Sequence, residues 1–207
     1  MNLESLANNC LQFAPDCPRF IIVKALREAA IELCEVSDIW QAELEDLPLT
    51  IGVTDYDLSP PTGAQINHVL GVFRTEGNSR QPLRKVDQIA VLSSIATGRP
   101  SVFSQNDSDT LTLSPIPDAT ETLSVLYSLK PSNTATSIPD AVAKENTDAL
   151  MYGATYRLLS MPQTSWNNPP MAAEHYRRWR SALGRVVRKV KYGYMGAPMT
   201  VQNPGFG

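Results

Sequence analysis

The chain has 207 residues, of which 43% are hydrophobic, and a formal net charge of -3 at pH 7. This length and composition are enough to bury a core in one domain, or in one domain with an insertion, so disorder throughout is excluded. No run approaches the roughly 20 apolar residues of a membrane span, and the N-terminal stretch lacks the pattern of a signal peptide. We therefore expect a protein that is cytosolic when made.

The first clear helical pattern ends near Ser37. Apolar residues between Ile22 and Val36 recur at steps of three and four, which predicts one amphipathic helix. Asp16 is a candidate N-terminal cap for this helix, with a proline in its first turn. Cys34 falls within the apolar stripe, and a buried free thiol is favoured there over redox or metal chemistry.

Residues 40–131 show a different pattern, in which short apolar runs are separated by turn residues. Leu111 and Leu113 alternate with polar neighbours, and so do the apolar residues from Leu123 to Leu129. A period of two is typical of half-buried strands. We predict a small antiparallel β-sandwich or barrel, with a helical turn or two in residues 86–98.

A helical period returns after the strands. It starts at Ile138 or Asp140 and ends at Met161. Glycine inside a helix costs up to ~1 kcal/mol relative to alanine, so packing must offset that cost. Three small residues on one side would let a neighbouring helix approach closely: Ala149, Gly153 and Ala154.

The last predicted helix is strongly basic. Asn168 is its candidate cap, with Pro169 and Pro170 in the first turn. From Glu174 to Lys191 it carries seven basic residues and one acid, a charge of +6, whereas the remaining 11 basic and 20 acidic residues give -9. Such asymmetry is typical of a chain that meets a polyanion, a membrane surface or an acidic protein.

A helical wheel separates the side chains of this helix into an apolar and a basic face. Burial of the large apolar side chains outweighs the repulsion among exposed charges, so the helix is expected to form and to pack on the other helices. The apolar face consists of Tyr176, Trp179, Leu183, Val186, Val187 and Val190. The basic face consists of Arg177, Arg178, Arg180, Arg185, Arg188, Lys189 and Lys191.

The basic face has several interpretations. It is an ordinary solvated surface, a contact for nucleic acid phosphates, or a docking surface for an acidic partner such as another copy of the chain. A membrane surface is disfavoured, because an interfacial helix would not need its apolar stripe for a core.

No catalytic or metal-binding pattern stands out. His68 and His175 fall in different predicted elements without ligands at metal-site spacing, so both are interpreted as structural or surface histidines. Phosphate loops, dinucleotide fingerprints and nucleophile elbows are missing from the sequence. The acidic groups at 43–46 and 107–109 lie in predicted loops, where solvation is favoured over glycoside hydrolysis. We predict no enzyme activity, no cofactor and no metal.

The order of elements resembles that of the head-to-tail connector, or adaptor, proteins of tailed bacteriophages. The resemblance is carried by residues 15–41, by the strand-rich middle ending in "TLSVLYSLKPSN", and by "IPDAVAKENTDALMYGATYRLL". It implies an α+β fold, in which a bundle of three to four helices carries an inserted antiparallel β-sandwich or barrel. The helical part would comprise residues 1–39 and 132–192, the insert residues 40–131, and an extended C-terminal arm residues 193–207.

The resemblance also implies a structural role in the virion after synthesis in the host cytoplasm. Twelve copies would form a ring beneath the portal, extend the DNA channel and offer the tail a platform. The expected partners are other copies, the portal protein, a tail or nozzle protein, and double-stranded DNA contacted without sequence preference, but no membrane. The alternatives are a non-specific DNA-binding virion protein that uses residues 174–191 and, less favoured, a virion-associated peptidoglycan hydrolase.

Three groups of residues are the candidate sites. The uncharged arm is expected to bind the portal or a neighbouring subunit, with plain disorder as the alternative. Its anchors would be Tyr192, Tyr194, Met195, Met199 and Phe206. The channel-lining or acid-binding group is Arg177, Arg178, Arg185, Arg188 and Lys189. Helix or subunit packing would use Ala149, Gly153, Ala154, Trp179, Leu183, Val186 and Val190.

Overall fold

A computed structural model describes residues 1–76, 79–87, 96–105 and 107–193. Within these ranges the chain forms five helices and two four-stranded sheets, so the predicted α+β class is confirmed. Most of the helical turn predicted for residues 86–98 lies outside the described residues. The helices are α1 (Leu3–Leu11), α2 (Arg19–Ser37), α3 (Asp140–Glu145), α4 (Thr147–Leu159) and α5 (Pro169–Tyr192).

Helix α1 was not predicted. Asn2 caps it, since its Oδ1 accepts a hydrogen bond from Glu4 N–H at 2.9 Å. The capping prediction for α2 is wrong, because α2 begins after Pro18 and no side chain caps it. Asp16 instead accepts a weak hydrogen bond from Ser165 Oγ at 3.4 Å.

The C-terminus of α2 lies where the sequence predicts it, at Ser37. Asp38 follows in a left-handed conformation with φ 52°, and its N–H donates to Cys34 O at 3.0 Å. A residue in this conformation closes a helix by pairing a carbonyl of the last turn. Cys34 is fully buried and unbonded, which confirms the prediction of a buried free thiol.

The single helix predicted from about residue 138 to Met161 is two helices. Asn146 separates α3 from α4, and its buried side-chain Nδ2 donates to Val142 O at 2.8 Å. That carbonyl is the one that the Asn146 N–H would pair with in a continuous α-helix, whereas this N–H bonds Ala143 O instead. The side chain of Asn146 thus takes the place of a backbone N–H in the hydrogen bond to Val142 O. The helix breaks there, although the apolar period predicts one continuous helix.

The strands of the described chain form two sheets of four strands each. One sheet has the order β1-β8-β3-β4 and is antiparallel throughout. The other has the order β2-β7-β6-β5, and its β5–β6 pair is parallel, contrary to the antiparallel prediction. A parallel pair needs a crossover rather than a hairpin, which the long connection between β5 and β6 supplies. The strands are β1 (Gln41–Pro48), β2 (Asp55–Asp57), β3 (Ala64–Glu76), β4 (Ser79–Pro82), β5 (Arg84–Lys85), β6 (Val102–Gln105), β7 (Thr110–Ser114) and β8 (Thr122–Pro131).

The buried apolar residues fall into two clusters. One is built by the helices, with Trp179, Leu26 and Leu33 among its largest members, and the other by the strands. Trp40 packs against both clusters. Its carbonyl also accepts a hydrogen bond from Leu129 N–H at 2.7 Å, so the segment after α2 is tied directly to β8.

Polar contacts join the end of α2 to the first sheet. Lys130 Nζ lies 2.7 Å from Glu35 Oε1, and Asn67 Nδ2 donates to Asp38 Oδ1 at 3.2 Å. His68 Nε2 lies 3.4 Å from the same Asp38 oxygen. Helix α2 is therefore tied to the first sheet at β3 and β8.

Candidate assembly surface on the last helix

Helix α5 begins where the sequence predicts. Asn168 Oδ1 accepts a hydrogen bond from Met171 N–H at 3.2 Å, and Pro169 and Pro170 occupy the first turn. Proline suits this turn because the N–H groups of a first helical turn have no partner within the helix, so none is lost when proline replaces one of them. The capping prediction is confirmed.

The buried face of α5 differs in part from the apolar face of the wheel. Trp179, Leu183 and Val186 are buried as predicted, but Tyr176 is 48% exposed. The face is rotated away from Tyr176, whose ring instead meets that of Tyr156 edge-on at 5.3 Å. Val187 and Val190 are half-buried, and the remaining buried positions are Ala172, His175 and Ala182.

His175 is the one buried histidine of the described chain. Its ring lies 4.8 Å from that of Phe13 and 5.5 Å from that of Tyr152, both edge-on. Burial lowers the pKa of His175, and the positive charge of Arg178 lowers it further. Its Nδ1 has no hydrogen-bond partner among the described residues. The neutral ring therefore serves as part of the core.

A polar network joins α5 to α2 and α4 beside Trp179. Arg157 pairs with Glu32 and donates from Nη1 to Gly153 O at 2.6 Å. The indole N–H of Trp179 donates to the other Glu32 oxygen at 3.4 Å. Only 16% of the Arg157 side chain is exposed, so the network holds three helices in fixed register.

Gly153 lies where these three helices come closest. A Cβ added there would lie 2.9 Å from Ala29 Cβ and 3.0 Å from Trp179 Cε3, which is closer than carbon atoms approach. Its neighbours Ala149 and Ala154 are buried as well. The close packing of α2 and α5 around Gly153 thus offsets the free-energy cost of a glycine inside a helix.

Part of the basic face of α5 is neutralised within the chain. Arg177 and Arg178 both pair with Glu174, at 2.8 Å and 2.9 Å. Lys189 pairs with Glu145 of α3. These cations lie at exposed sites, where an ion pair contributes little stability but fixes the direction of the side chain.

The other cations of the helix are less engaged. Arg185 donates a long hydrogen bond to the hydroxyl of Ser181 at 3.5 Å and forms no ion pair within the described residues. Arg180, Arg188 and Lys191 form no ion pair within the part of the chain that the structure describes, and Arg180 and Arg188 are exposed. The centre of the basic face therefore keeps a concentrated, uncompensated positive charge.

Comparison with known protein families identifies the chain. The sequence model of the SU10 adaptor protein family matches residues 1–202. The chain belongs to this family. Its members are bacteriophage head-to-tail adaptors, so this adaptor is a virion component in tail assembly with a structural role, as the resemblance implies. A comparison with curated proteins gives no match.

One of the predicted anchors of the C-terminal arm lies within the described residues. Tyr192, the last residue of α5, is 55% exposed, and Lys191 Nζ lies 5.5 Å from the centre of its ring. The other predicted anchors, Tyr194, Met195, Met199 and Phe206, lie outside the described residues.

The described part of the adaptor offers little for chemistry. No group of three or more histidine, cysteine or acidic side chains there is arranged to hold a metal ion. Burial raises the pKa of Cys10 to about 11 and that of Cys34 to about 12, so both stay protonated and unreactive near neutral pH. None of the described helices is long and apolar enough to cross a membrane.

Sequence reasoning did not single out two features of this surface. The first is Gly184, which lies exposed among the arginines of α5 with nothing within 4 Å of an added Cβ. A helical glycine next to a run of arginines is a signal, but only the structure shows that the described residues leave the space beside it open. The second is that Arg180 and Lys191 lie on the unpaired centre of the basic face, whereas Arg178 and Lys189 are paired at its flanks.

Proposed function

We propose that this adaptor assembles as a ring of twelve copies beneath the portal, extends the DNA channel and gives the tail its platform. It performs no catalytic step and is made in the host cytoplasm. The proposal is carried by the match to the adaptor family, which spans residues 1–202 and so includes both the helices and the strands.

The same proposal assigns separate roles to the two parts of the chain. Residues 1–39 with 132–192 form a helix bundle, and residues 40–131 form an inserted β-sandwich. The two clusters of buried apolar residues support this division. A bundle built around Trp179 and Gly153 is a rigid body, as a ring subunit must be.

Imaging of the adaptor with its portal tests the function. The purified chain is mixed with the portal of the same phage and examined by electron microscopy. We expect a ring at the tail-facing end of the portal, and its subunit number can be counted from class averages. Absence of any density at that end would refute the proposal.

The arm has its own test. The core ends with Val190, so a chain that stops after Gly193 keeps every buried contact of the described residues. We expect this truncated chain to unfold at the same urea concentration as the full chain and to attach to the portal more weakly. A truncated chain that attaches equally well would refute a role of the arm in attachment.

A second candidate function is non-specific DNA binding through α5, and the exposed, unpaired Arg180 and Arg188 favour it. Replacing both by glutamine should lower duplex affinity and reduce the slope of log K against log salt by about one per lost phosphate contact. The matched control replaces Arg178 and Lys189, which are paired within the chain. Equal binding by the wild type and both variants would exclude this function.

A further inference from the structure

The outermost line of side chains on α5 is a basic ridge. At 100° per residue it spans about 80° of the circumference, directly opposite Trp179 and Val186. Arg177 shares the carboxylate of Glu174 with Arg178, whereas the other cations of this line form no ion pair within the described ranges. We call this line the α5 ridge: Arg177, Arg180, Gly184, Arg188 and Lys191.

Gly184 lies in the middle of the α5 ridge. After proline, glycine is the least favourable residue inside a helix, and here no contact within the described chain requires it. Gly153 shows the opposite case, because Ala29 and Trp179 leave no space for a side chain there. The gap at Gly184 suits a partner whose surface comes close to the helix backbone, with arginines on both sides.

A surface of opposite charge lies at one edge of the second sheet. Strand β2 is an edge strand, and Asp57 faces Thr110 across the β2–β7 ladder. The loop before β7 is held against it, because Leu58 N–H donates to Asp109 O at 2.7 Å. The carboxylates at this surface are exposed and form no ion pair within the described ranges. We call it the β2 edge: Asp55, Asp57, Asp107 and Asp109.

Both surfaces combine charge with exposed apolar side chains. Next to the β2 edge, Ile51 is 59% exposed and Val53 is 38% exposed. Beside the α5 ridge, Tyr176 is 48% exposed and Tyr192 is 55% exposed. Exposed aromatic and aliphatic side chains next to charges are typical of protein contacts, where apolar burial supplies affinity and charge sets the register.

We propose that the α5 ridge of one copy docks on the β2 edge of a second copy. This inference deepens the proposed ring and rests on it, because it names the surfaces through which neighbouring copies meet. Among the described elements α5 packs on α2 and α4, which lie on the side of the helix away from the α5 ridge. The two surfaces differ, so each copy offers one of each, and a contact of this kind repeats from copy to copy, as the contacts of a ring do.

The acidic β2 edge favours a second copy over DNA as the occupant. One contact between copies would neutralise both unpaired surfaces of the chain. DNA would neutralise only the α5 ridge, and the four carboxylates of the β2 edge would repel it. Because both surfaces are exposed, the contact should weaken as salt is raised.

Charge reversal with rescue is the decisive experiment. The basic variant carries Arg180→Glu and Arg188→Glu, the acidic variant carries Asp57→Lys and Asp107→Lys, and the rescue variant carries all four changes. We expect each double variant to lose at least about tenfold in assembly on the portal, and the rescue variant to recover it. Lys24→Glu with Arg84→Glu is the control of equal charge change and should assemble as the wild type does.

Cross-linking tests the contact without the portal. Arg180→Cys and Asp57→Cys are made in separate chains and mixed at high concentration with a short bis-maleimide. The natural thiols of Cys10, Cys17 and Cys34 are buried, so the added thiols react first. We expect the mixture to give far more dimer than either chain alone.

The outcomes separate this inference from the adaptor function. Normal rings from both double variants, or no rescue by the four changes, would overturn the inference and leave the function intact. Loss of assembly and of duplex binding in the basic variant alone would overturn it in favour of DNA. If the wild type fails to attach to the portal, the function fails, and the cross-link still supports or overturns the contact between copies.

Discussion

Gly153 is the residue at which the helical core tolerates change least. Gly153→Ala should gain up to ~1 kcal/mol of helix propensity but lose more, because the new methyl group would overlap Ala29 and Trp179. We expect a net loss of about 1–2 kcal/mol in the free energy of unfolding, measured by urea denaturation.

The matched change at the surface is Gly184→Ala. No atom of the described residues lies within 4 Å of the added methyl group, so the full propensity gain of up to ~1 kcal/mol should appear as stability. If the two alanine variants shift the urea midpoint in the same direction, the packing assigned to Gly153 is wrong.

His175 should make stability depend on pH. Burial lowers its pKa below the ordinary value of about 6.5, so the unfolded chain takes up the proton first as the pH falls. Its contribution to stability is therefore complete above the unfolded pKa of about 6.5 and declines as the pH falls through and below that value. His175→Gln should flatten this part of the stability curve. Urea unfolding of the wild type and of this variant at a series of pH values is the measurement, and equal slopes would contradict this role of His175.

At the scale of elements, Glu32 is the acceptor that links three helices. Glu32→Ala would leave the largely buried Arg157 and the Trp179 N–H without their carboxylate. Hydrogen bonds to charged groups contribute about 1.5–3 kcal/mol each, so we expect a loss of that order in urea unfolding. Glu28→Ala is the control: its carboxylate is 3.8 Å from Arg157 and half-exposed, so the loss should stay below about 0.5 kcal/mol.

Elements whose signals are local were predictable from the sequence. Helix α5 has a cap, two prolines and an amphipathic period, and α2 ends at Ser37 as its period indicates. The break at Asn146 was not predictable, because it depends on one side chain taking the carbonyl of Val142 in a buried setting. Apolar spacing is the same for a continuous helix and for two helices in line.

The basic face of α5 was likewise predictable only as far as local spacing determines it. The basic face of α5 follows from residue spacing alone, since at 100° per residue all seven cations fall within one half of the helix circumference. Which of these cations remain unpaired depends on Glu145, which belongs to another helix, and on the position of Glu174. Tyr176 was placed in the core because the wheel does not show where α2 and α4 stop covering the helix.

In the whole molecule, the helical and β parts are expected to unfold together. The two apolar clusters meet at Trp40, which packs on both, and at the pair Lys130–Glu35. The exposed ion pair contributes little, so most of the coupling should come from Trp40. In the wild type we therefore expect the slowest amides of both clusters to exchange by the same global unfolding.

Trp40→Ala should uncouple the two parts. Removal of a half-buried tryptophan deletes contacts to both clusters at once, at a cost of about 2–3 kcal/mol, somewhat less than for a fully buried ring. In native-state hydrogen exchange, amides of β8 and amides of α2 should then show different opening free energies, because each cluster still has its own core. Phe20→Ala, which removes a ring that is 74% exposed, should leave both sets of amides unchanged. If the opening free energies of all slow amides fall equally in the Trp40 variant, the helical and β parts unfold as one cooperative unit, and the proposed division is wrong.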